Sequence, residues 1–376
     1  MKILTVIGAR PQIIKASALS RAVKKHYSQS INEVIVHTGQ HYDRNMSKVF
    51  FSELDIPKEK YNLGVGSASH GVQTANIIIK LEEILLKEKP DCIVLYGDTN
   101  STLAGAVAAS KIQVPIVHIE AGLRSFDKNM PEEINRIMCD HVSTLLFSPT
   151  QVGYNNLVKE GFSKKIISRP DFNHPNIYHC GDIMYDNTMY FKDKSLMNEE
   201  YKTRFGNDFI LCTIHRNTNT DNKENLTNIF SAFIELSKQE RIILPLHPRT
   251  KKMMPLMLES SLLDAIKSNK NIEIIDPVSF LEMIYLEASS KLIVTDSGGV
   301  QKESYYLEKP CIILRPQTEW VEIVDTGNAF IANTDKEKII NTAQKYLSHK
   351  PKNYPKIFGD AHAAEFILQT MLDCLG

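Results

Sequence analysis

Three carboxylates between Tyr96 and Arg136 sit in settings suited to proton transfer. Asp98 lies in Tyr96-Gly97-Asp98-Thr99-Asn100-Ser101-Thr102, and Glu120 in His118-Ile119-Glu120-Ala121-Gly122-Leu123-Arg124-Ser125. Glu132 opens Pro131-Glu132-Glu133-Ile134-Asn135-Arg136. The first two each end a β-branched apolar run and precede turn residues, which puts them where strands hand over to helices. In an open parallel sheet the carboxyl ends of the strands form one edge, and ligands bind outside it. An acid held there, partly away from water, titrates higher and can exchange protons near neutral pH. Helix capping is the structural alternative for Asp98 and Glu120. Glutamate caps poorly, and three acids in one segment favour chemistry.

Two further turns are suited to an anion. Gly8-Ala9-Arg10-Pro11-Gln12-Ile13-Ile14-Lys15 follows the first strand and opens a helix without matching a dinucleotide fingerprint or a Walker loop. Arg10 and Lys15 near a helix start are unfavourable unless an anion lies close by. In Thr295-Asp296-Ser297-Gly298-Gly299-Val300-Gln301-Lys302-Glu303 the paired glycines expose backbone N–H groups to a phosphate. Ser297 adds a hydroxyl donor, and Glu303, one turn into the helix, can accept both hydroxyls of a ribose. That set predicts a nucleotide-diphosphate site. His215, beside Arg216, ends another strand, and so does His247, for which bonding to backbone is an equal alternative.

Short β-rich runs alternate with longer amphipathic ones, which implies right-handed crossovers and parallel sheets covered on both faces. The predicted strands begin with Ile3–Ile7, Glu33–His37, Cys92–Leu95, Pro115–His118 and Thr144–Phe147. After a weak stretch, Arg169–Tyr185, the alternation resumes with Phe209–Thr213, Ile242–Leu246, Ile272–Ile275, Leu292–Thr295 and Cys311–Leu314. The expectation is an α/β protein of two doubly wound Rossmann-like domains with a cleft between them. Their predicted bounds are 1–175 and 176–360, with a helix over 361–376 packing back on the first domain.

Composition narrows the classes. Lys plus Arg equals Asp plus Glu at 44 each, so no global field draws in nucleic acid or an anionic membrane. Hydrophobic content of 43% supports a substantial core, and no segment reaches the length of a membrane span. Six cysteines lie far apart without a Cys-x-x-Cys pair, which predicts a cytoplasmic protein without disulfides. His174, His179 and Cys180 match no standard ligand spacing, and no metal site is expected.

In order along the chain, these segments resemble the non-hydrolysing UDP-N-acetylglucosamine 2-epimerase family. The resemblance rests on Gly8-Ala9-Arg10-Pro11 with Lys15, Gly97-Asp98-Thr99, His118 to Arg124, Pro131 to Arg136, His215-Arg216, and Asp296 to Gln301 with Glu303. It covers essentially the whole chain. It implies the GT-B arrangement of two Rossmann-like domains, a homodimer, a UDP-sugar substrate and no cofactor. Family members eliminate UDP from C1 of the sugar with loss of the C2 proton, giving a 2-acetamidoglucal, and then add UDP back with a new proton on the opposite face. By resemblance, Asp98, Glu120 and Glu132 form the acid/base group, in an order the sequence leaves open, and His215 joins them as a catalytic residue. Arg10, Lys15, Arg136, Arg216, Ser297, Gly298, Gly299 and Glu303 bind substrate.

Three departures bear on substrate. Ala9 and Gln12 stand where many members have Thr and Glu. Gln40-His41-Tyr42-Asp43 replaces a Gln-His-Arg-Gln segment that binds an activating second UDP-sugar. Thr318-Glu319-Trp320-Val321-Glu322 lacks the arginine of Thr-Glu-Arg-Pro-Glu, and an indole does not replace a guanidinium on phosphate. The Gly-Ala-Arg-Pro-Gln and Thr-Glu-Trp-Val-Glu variants resemble the branch that epimerises UDP-2,3-diacetamido-2,3-dideoxy-glucuronate. Plain UDP-N-acetylglucosamine, to UDP-N-acetylmannosamine, is the first expectation and the uronate the second. A glycosyltransferase of the same architecture is the rival in another class, but leaves Glu120 and Glu132 without a joint task.

Overall fold

The computed structural model describes residues 1–39, 54 and 56–376. The variant segment Gln40-His41-Tyr42-Asp43 lies outside the described residues. Two compact units emerge: Met1–Asn187 with Lys356–Gly376, and Thr188–Pro355.

The first unit is built on a parallel sheet of order β3-β2-β1-β4-β5-β6-β7. Its strands are β1 (Lys2–Ile7), β2 (Asn32–His37), β3 (Tyr61–Asn62), β4 (Cys92–Tyr96), β5 (Ile116–Ile119), β6 (Leu145–Ser148) and β7 (Asn176–His179). Its central strands are covered on both faces, so they read as unbroken apolar runs rather than alternating ones. Every residue of β4 is fully buried. β1 pairs with β2 on one side and with β4 on the other, Ile3 opposite Cys92 and Thr5 opposite Val94. The chain reverses its direction of growth there, and the Gly8 turn after β1 and the Gly97-Asp98 turn after β4 flank that switch point. A crevice outside the strand ends is a geometric consequence of the reversal.

The second unit repeats the plan with order β10-β9-β8-β11-β12-β13. Here the strands are β8 (Ile210–Thr213), β9 (Ile242–Pro245), β10 (Ile272–Ile275), β11 (Leu292–Thr295), β12 (Cys311–Ile313) and β13 (Ala329–Ile331). Its switch point falls between β8 and β11, with Thr213 opposite Thr295. The His215-Arg216 turn and the Ser297-Gly298-Gly299 turn follow those two strands.

The unit boundaries differ from those read in the sequence. The division falls at Asn187/Thr188, inside helix Ile183–Leu196, and not at 175/176. β7 is the reason: it pairs with β6, Leu145 opposite Asn176 and Ser148 opposite His179, within the weak stretch Arg169–Tyr185. An edge strand has a neighbour on one side only, so Asn-Ile-Tyr-His suffices. The buried Asn176 side chain also pairs with the backbone of the preceding loop, donating to Ile167 O at 2.8 Å and accepting from Ile167 N at 3.0 Å. Helices Glu199–Phe205, Pro248–Met257 and Ser260–Ser268 were likewise not anticipated. Among the described residues no helix is long and apolar enough to cross a membrane.

The chain re-enters the first unit at Lys356 rather than 361, and helix Ala363–Leu375 packs there. Phe366 makes edge contacts with Phe147 and Tyr178. The buried Asp186 supplies the missing cap, accepting from Ala363 N at 3.1 Å and Ala364 N at 2.8 Å. Burial pushes this carboxyl from 3.8 up to about 7, against those two hydrogen bonds. The folded chain therefore holds an extra proton between those pH values, and this group's contribution to stability falls as pH rises through the window. Asp186→Asn keeps an accepting oxygen but cannot titrate. Denaturant unfolding from pH 4 to 7 is expected to give a shallower decline in the variant than in the wild type; parallel profiles would contradict the assignment.

Candidate active site

Gly8 comes so close to the neighbouring turns that a Cβ there would collide with the hydroxyls of Ser101 and Thr38. Gln12 fixes this approach. Its carbonyl accepts from Gly8 N at 2.9 Å and Ala9 N at 3.1 Å, and its amide donates to Tyr96 O and Thr102 Oγ1, both at 3.0 Å. A carboxylate could do the accepting but not the donating. Gln12, noted in the sequence only as a departure, thus joins the turn after β1 to the end of β4.

Lys15, on helix Arg10–Ala22, reaches Glu120 in an ion pair whose side chains are 13% and 9% exposed. Glu120 directly follows β5 with φ 72°, a left-handed backbone that costs a residue with a Cβ roughly 1–2 kcal/mol. Gly97 faces this pair at φ +62°. A Cβ there would lie 3.1 Å from Glu120 Oε2 and 3.3 Å from Lys15 Nζ, so position 97 needs glycine on both counts.

Asp98 is paired with Arg136 at 2.5 Å and remains one-third exposed. Burial raises its pKa; Arg136 and Lys15 oppose that, while Glu120 and Glu132 reinforce it. Lys15, Asp98, Glu120, Glu132 and Arg136 therefore share one electrostatic neighbourhood. Glu132 itself is exposed on the first turn of helix Pro131–His141. Its neighbour Glu133 is buried, accepting from Ser125 N at 2.9 Å, Phe126 N at 3.0 Å and Arg136 Nη2 at 3.0 Å. Burial works against its ionisation, but these bonds hold its pKa below the ordinary value. Arg10 is exposed at the start of its helix.

Beneath these groups lies a buried ionic network absent from the sequence reading. Asp140 takes His118 Nδ1 at 2.6 Å, Gly122 N at 3.1 Å and Arg124 Nη2 at 2.7 Å. His118 Nε2 lies 2.8 Å from Gly97 O, so both ring nitrogens face acceptors and the ring is an imidazolium. Burial disfavours that cation; Cys139 and Asp140 overcome it and raise its pKa well above the usual range. One carboxylate thus ties the turn carrying Asp98 to the one carrying Glu120. The available signal was Glu133, Arg136 and Asp140 at helical spacing, a polar stripe on a buried face.

Asp296 does the same in the second unit. Fully buried, it accepts from His215 N at 3.0 Å, Arg216 N at 2.9 Å and Asn219 Nδ2 at 3.0 Å, and faces His215 Nδ1 at 3.2 Å. Burial lowers the pKa of His215, Asp296 opposes this, and His247 and Arg216 reinforce it. The His247 ring lies 5.4 Å from that of His215, and its Nδ1 accepts from Arg249 N at 3.2 Å, so it caps its own helix. Ser297 caps helix Gly298–Tyr306, presenting the glycine N–H groups at its start. Trp320 is buried against this turn, 3.7 Å from where a Gly298 Cβ would lie, with Arg315 Nη1 at 3.9 Å. Lys302 Nζ stands 4.3 Å from the indole centroid, and Arg315 is gripped by Glu319 through two 2.8 Å bonds. Two cations, Lys302 and Arg315, therefore stand near Trp320.

The profile of the family described as UDP-N-acetylglucosamine 2-epimerase matches residues 22–372. A UDP-N-acetylglucosamine 2-epimerase homologue of Methanococcus maripaludis is 46% identical, over 99% of both chains. The UDP-2,3-diacetamido-2,3-dideoxy-D-glucuronate 2-epimerase of Pseudomonas aeruginosa is 44% identical over 98% of this chain and 99% of its own. The structure of the Methanocaldococcus jannaschii UDP-GlcNAc 2-epimerase in complex with UDP-GlcNAc and UDP aligns with a TM-score of 0.82, at 44% identity over 99% of both chains.

Removing one partner from a buried ionic network costs about 3–5 kcal/mol. Asp140→Ala is therefore expected to lower the unfolding free energy by that amount in urea titrations. A loss below about 1 kcal/mol would mean that the network does not hold the two turns.

Proposed function

Because the chain belongs to the UDP-N-acetylglucosamine 2-epimerase family, we propose that it inverts C2 of a UDP-N-acetyl-hexosamine, interconverting UDP-N-acetylglucosamine and UDP-N-acetylmannosamine, by eliminating UDP and adding it back. The observation that carries this reading is the placement of two complementary sets of groups at the two switch points. Carboxylates with matched cations flank β1 and β4, and a glycine turn with cations flanks β8 and β11.

The C2 proton is not adjacent to a carbonyl, so its removal is coupled to departure of the diphosphate from C1. Elimination breaks the C2–H and C1–O bonds and leaves a 2-acetamidoglucal with UDP. Re-addition remakes the C1–O bond and delivers a proton to the opposite face of C2. Asp98, Glu120 and Glu132 supply the base and the acid. Burial raises the pKa of Asp98 from the ordinary carboxylate value, the direction a general base needs. Lys15 and Arg136 pair with Glu120 and Asp98 and orient them, and Arg10 assists at the anion. His215, held by Asp296, and Arg216 stabilise the departing diphosphate. The N–H groups of Gly298 and Gly299 with Ser297 hold it, while Glu303 accepts from the ribose.

The uronate alternative rests on the 44% identity to the Pseudomonas aeruginosa enzyme. A second carboxylate needs its own cation. Of the nearest cations, the Arg124 side chain is 1% exposed and committed to Asp140 and Glu160, and Arg136 is committed to Asp98 and Glu133, while Lys128 is exposed and is the candidate for that carboxylate. Six free cysteines support a reducing, cytoplasmic setting, and activated hexosamines of this kind feed surface polysaccharide synthesis. A homodimer is supported by the exposed Val72, Ile79 and Leu86, which recur every seven residues along helix His70–Glu88. Leu86→Asp is expected to shift sedimentation from dimer to monomer, and an unchanged dimer would remove this face from the interface.

In D₂O the protein alone should place deuterium at C2 while forming the manno epimer. An oxygen label in the β-phosphate should scramble between bridging and non-bridging positions. Asp98→Asn, Glu120→Gln and Glu132→Gln should each slow turnover at least about a hundredfold with UDP affinity little changed. Full retention of the C2 hydrogen would exclude the mechanism. A kcat/KM at least about tenfold higher for the diacetamido-uronate would replace the plain sugar as substrate.

A further inference from the structure

Glu287, on helix Phe280–Ser289, is fully buried, and the chemistry above makes no use of it. No main-chain N–H, hydroxyl or amide reaches either of its oxygens. The group that its carboxyl faces is the carboxyl of Glu303, on helix Gly298–Tyr306. Two carboxyls facing each other away from water do not both ionise, so one of them keeps a proton. Glu287 is the one that keeps it: burial first, and the charge of Glu303 second, raise its pKa well above the usual range. Glu303 is only half-buried, in the first turns of a helix whose N-terminal N–H groups favour a negative charge. Its Oε2 lies 3.9 Å from where a Cβ on Gly299 would stand, as does Ser297 Oγ, so that oxygen is turned toward the glycine turn.

We propose that Glu287 is a positioning residue which, as a neutral acid, donates its O–H to Glu303 and holds that carboxylate toward the ribose hydroxyls of the bound uridine nucleotide. The inference rests on the epimerase reading, which supplies the nucleotide. A carboxylate on a flexible side chain loses rotamer freedom when it grips a diol, and a hydrogen bond already in place removes part of that cost before binding. An apolar residue at 287 would fill the same space without a donor.

The test compares UDP with 2′-deoxy-UDP by calorimetry in the wild type, Glu287→Gln and Glu287→Leu. The wild type should prefer the ribonucleotide. Glu287→Gln, whose amide still donates, should keep that preference, and Glu287→Leu should narrow it roughly tenfold. Infrared difference spectra near neutral pH should show a protonated-carboxyl band that Glu287→Gln abolishes, a readout that does not depend on the leucine variant folding. A folded Glu287→Leu protein with the wild-type preference, or no band lost in Glu287→Gln, would overturn the inference alone. A wild type that does not bind UDP would overturn the epimerase reading and this inference with it.

Discussion

A carboxylate removed from water must be surrounded by donors, and each unit of this protein turns that requirement into architecture. Asp140 draws His118, Gly122 and Arg124 to itself, and Asp296 draws in His215, Arg216 and Asn219. The donors to Asp140 lie on β5 and the turn after it, with His118 reaching on to Gly97 O after β4, while the donors to Asp296, which itself follows β11, come after β8; satisfying each buried charge therefore ties the ends of two neighbouring strands together. Removing either anion would leave several polar groups unsatisfied at once, which makes these positions costlier than their number suggests.

Above that layer, charges are matched but not neutralised. Lys15 holds Glu120 in a strained backbone conformation, and Arg136 holds Asp98 while also serving Glu133. Burial raises the pKa of the partly exposed Asp98, while backbone donors and Arg136 hold that of Glu133 below its ordinary value. In the second unit the indole of Trp320 carries Lys302 over its face, so the tryptophan that replaces the usual arginine still leaves positive charge beside the glycine turn.

The sequence revealed the two-sheet α/β plan and the strand-end location of the key motifs, because buried parallel strands read as continuous apolar runs broken by glycine turns. It did not reveal β7, whose edge position and side-chain pairing through Asn176 need little apolar character. The supporting residues were harder to see than the reactive ones. Gln12 stood out only as a departure, and little in the local pattern sets Asp140 or Glu287 apart from other charges on helices. Their roles depend on contacts with residues distant in the chain, such as Gln12 with Tyr96, and spacing along the chain carries no trace of those. Glu132 and Glu133 are adjacent and alike in type, and helical phase alone puts one in solvent and the other in the core.

In the elimination mechanism the sugar leaves its diphosphate and returns to it. Rapid quenching during turnover of UDP-N-acetylglucosamine, with chromatography of the quenched mixture, tests this directly. Elimination should make 2-acetamidoglucal and free UDP appear in equal amounts before the epimers reach equilibrium. Formation of the manno epimer at full rate, with neither species detected on or off the protein, would contradict it.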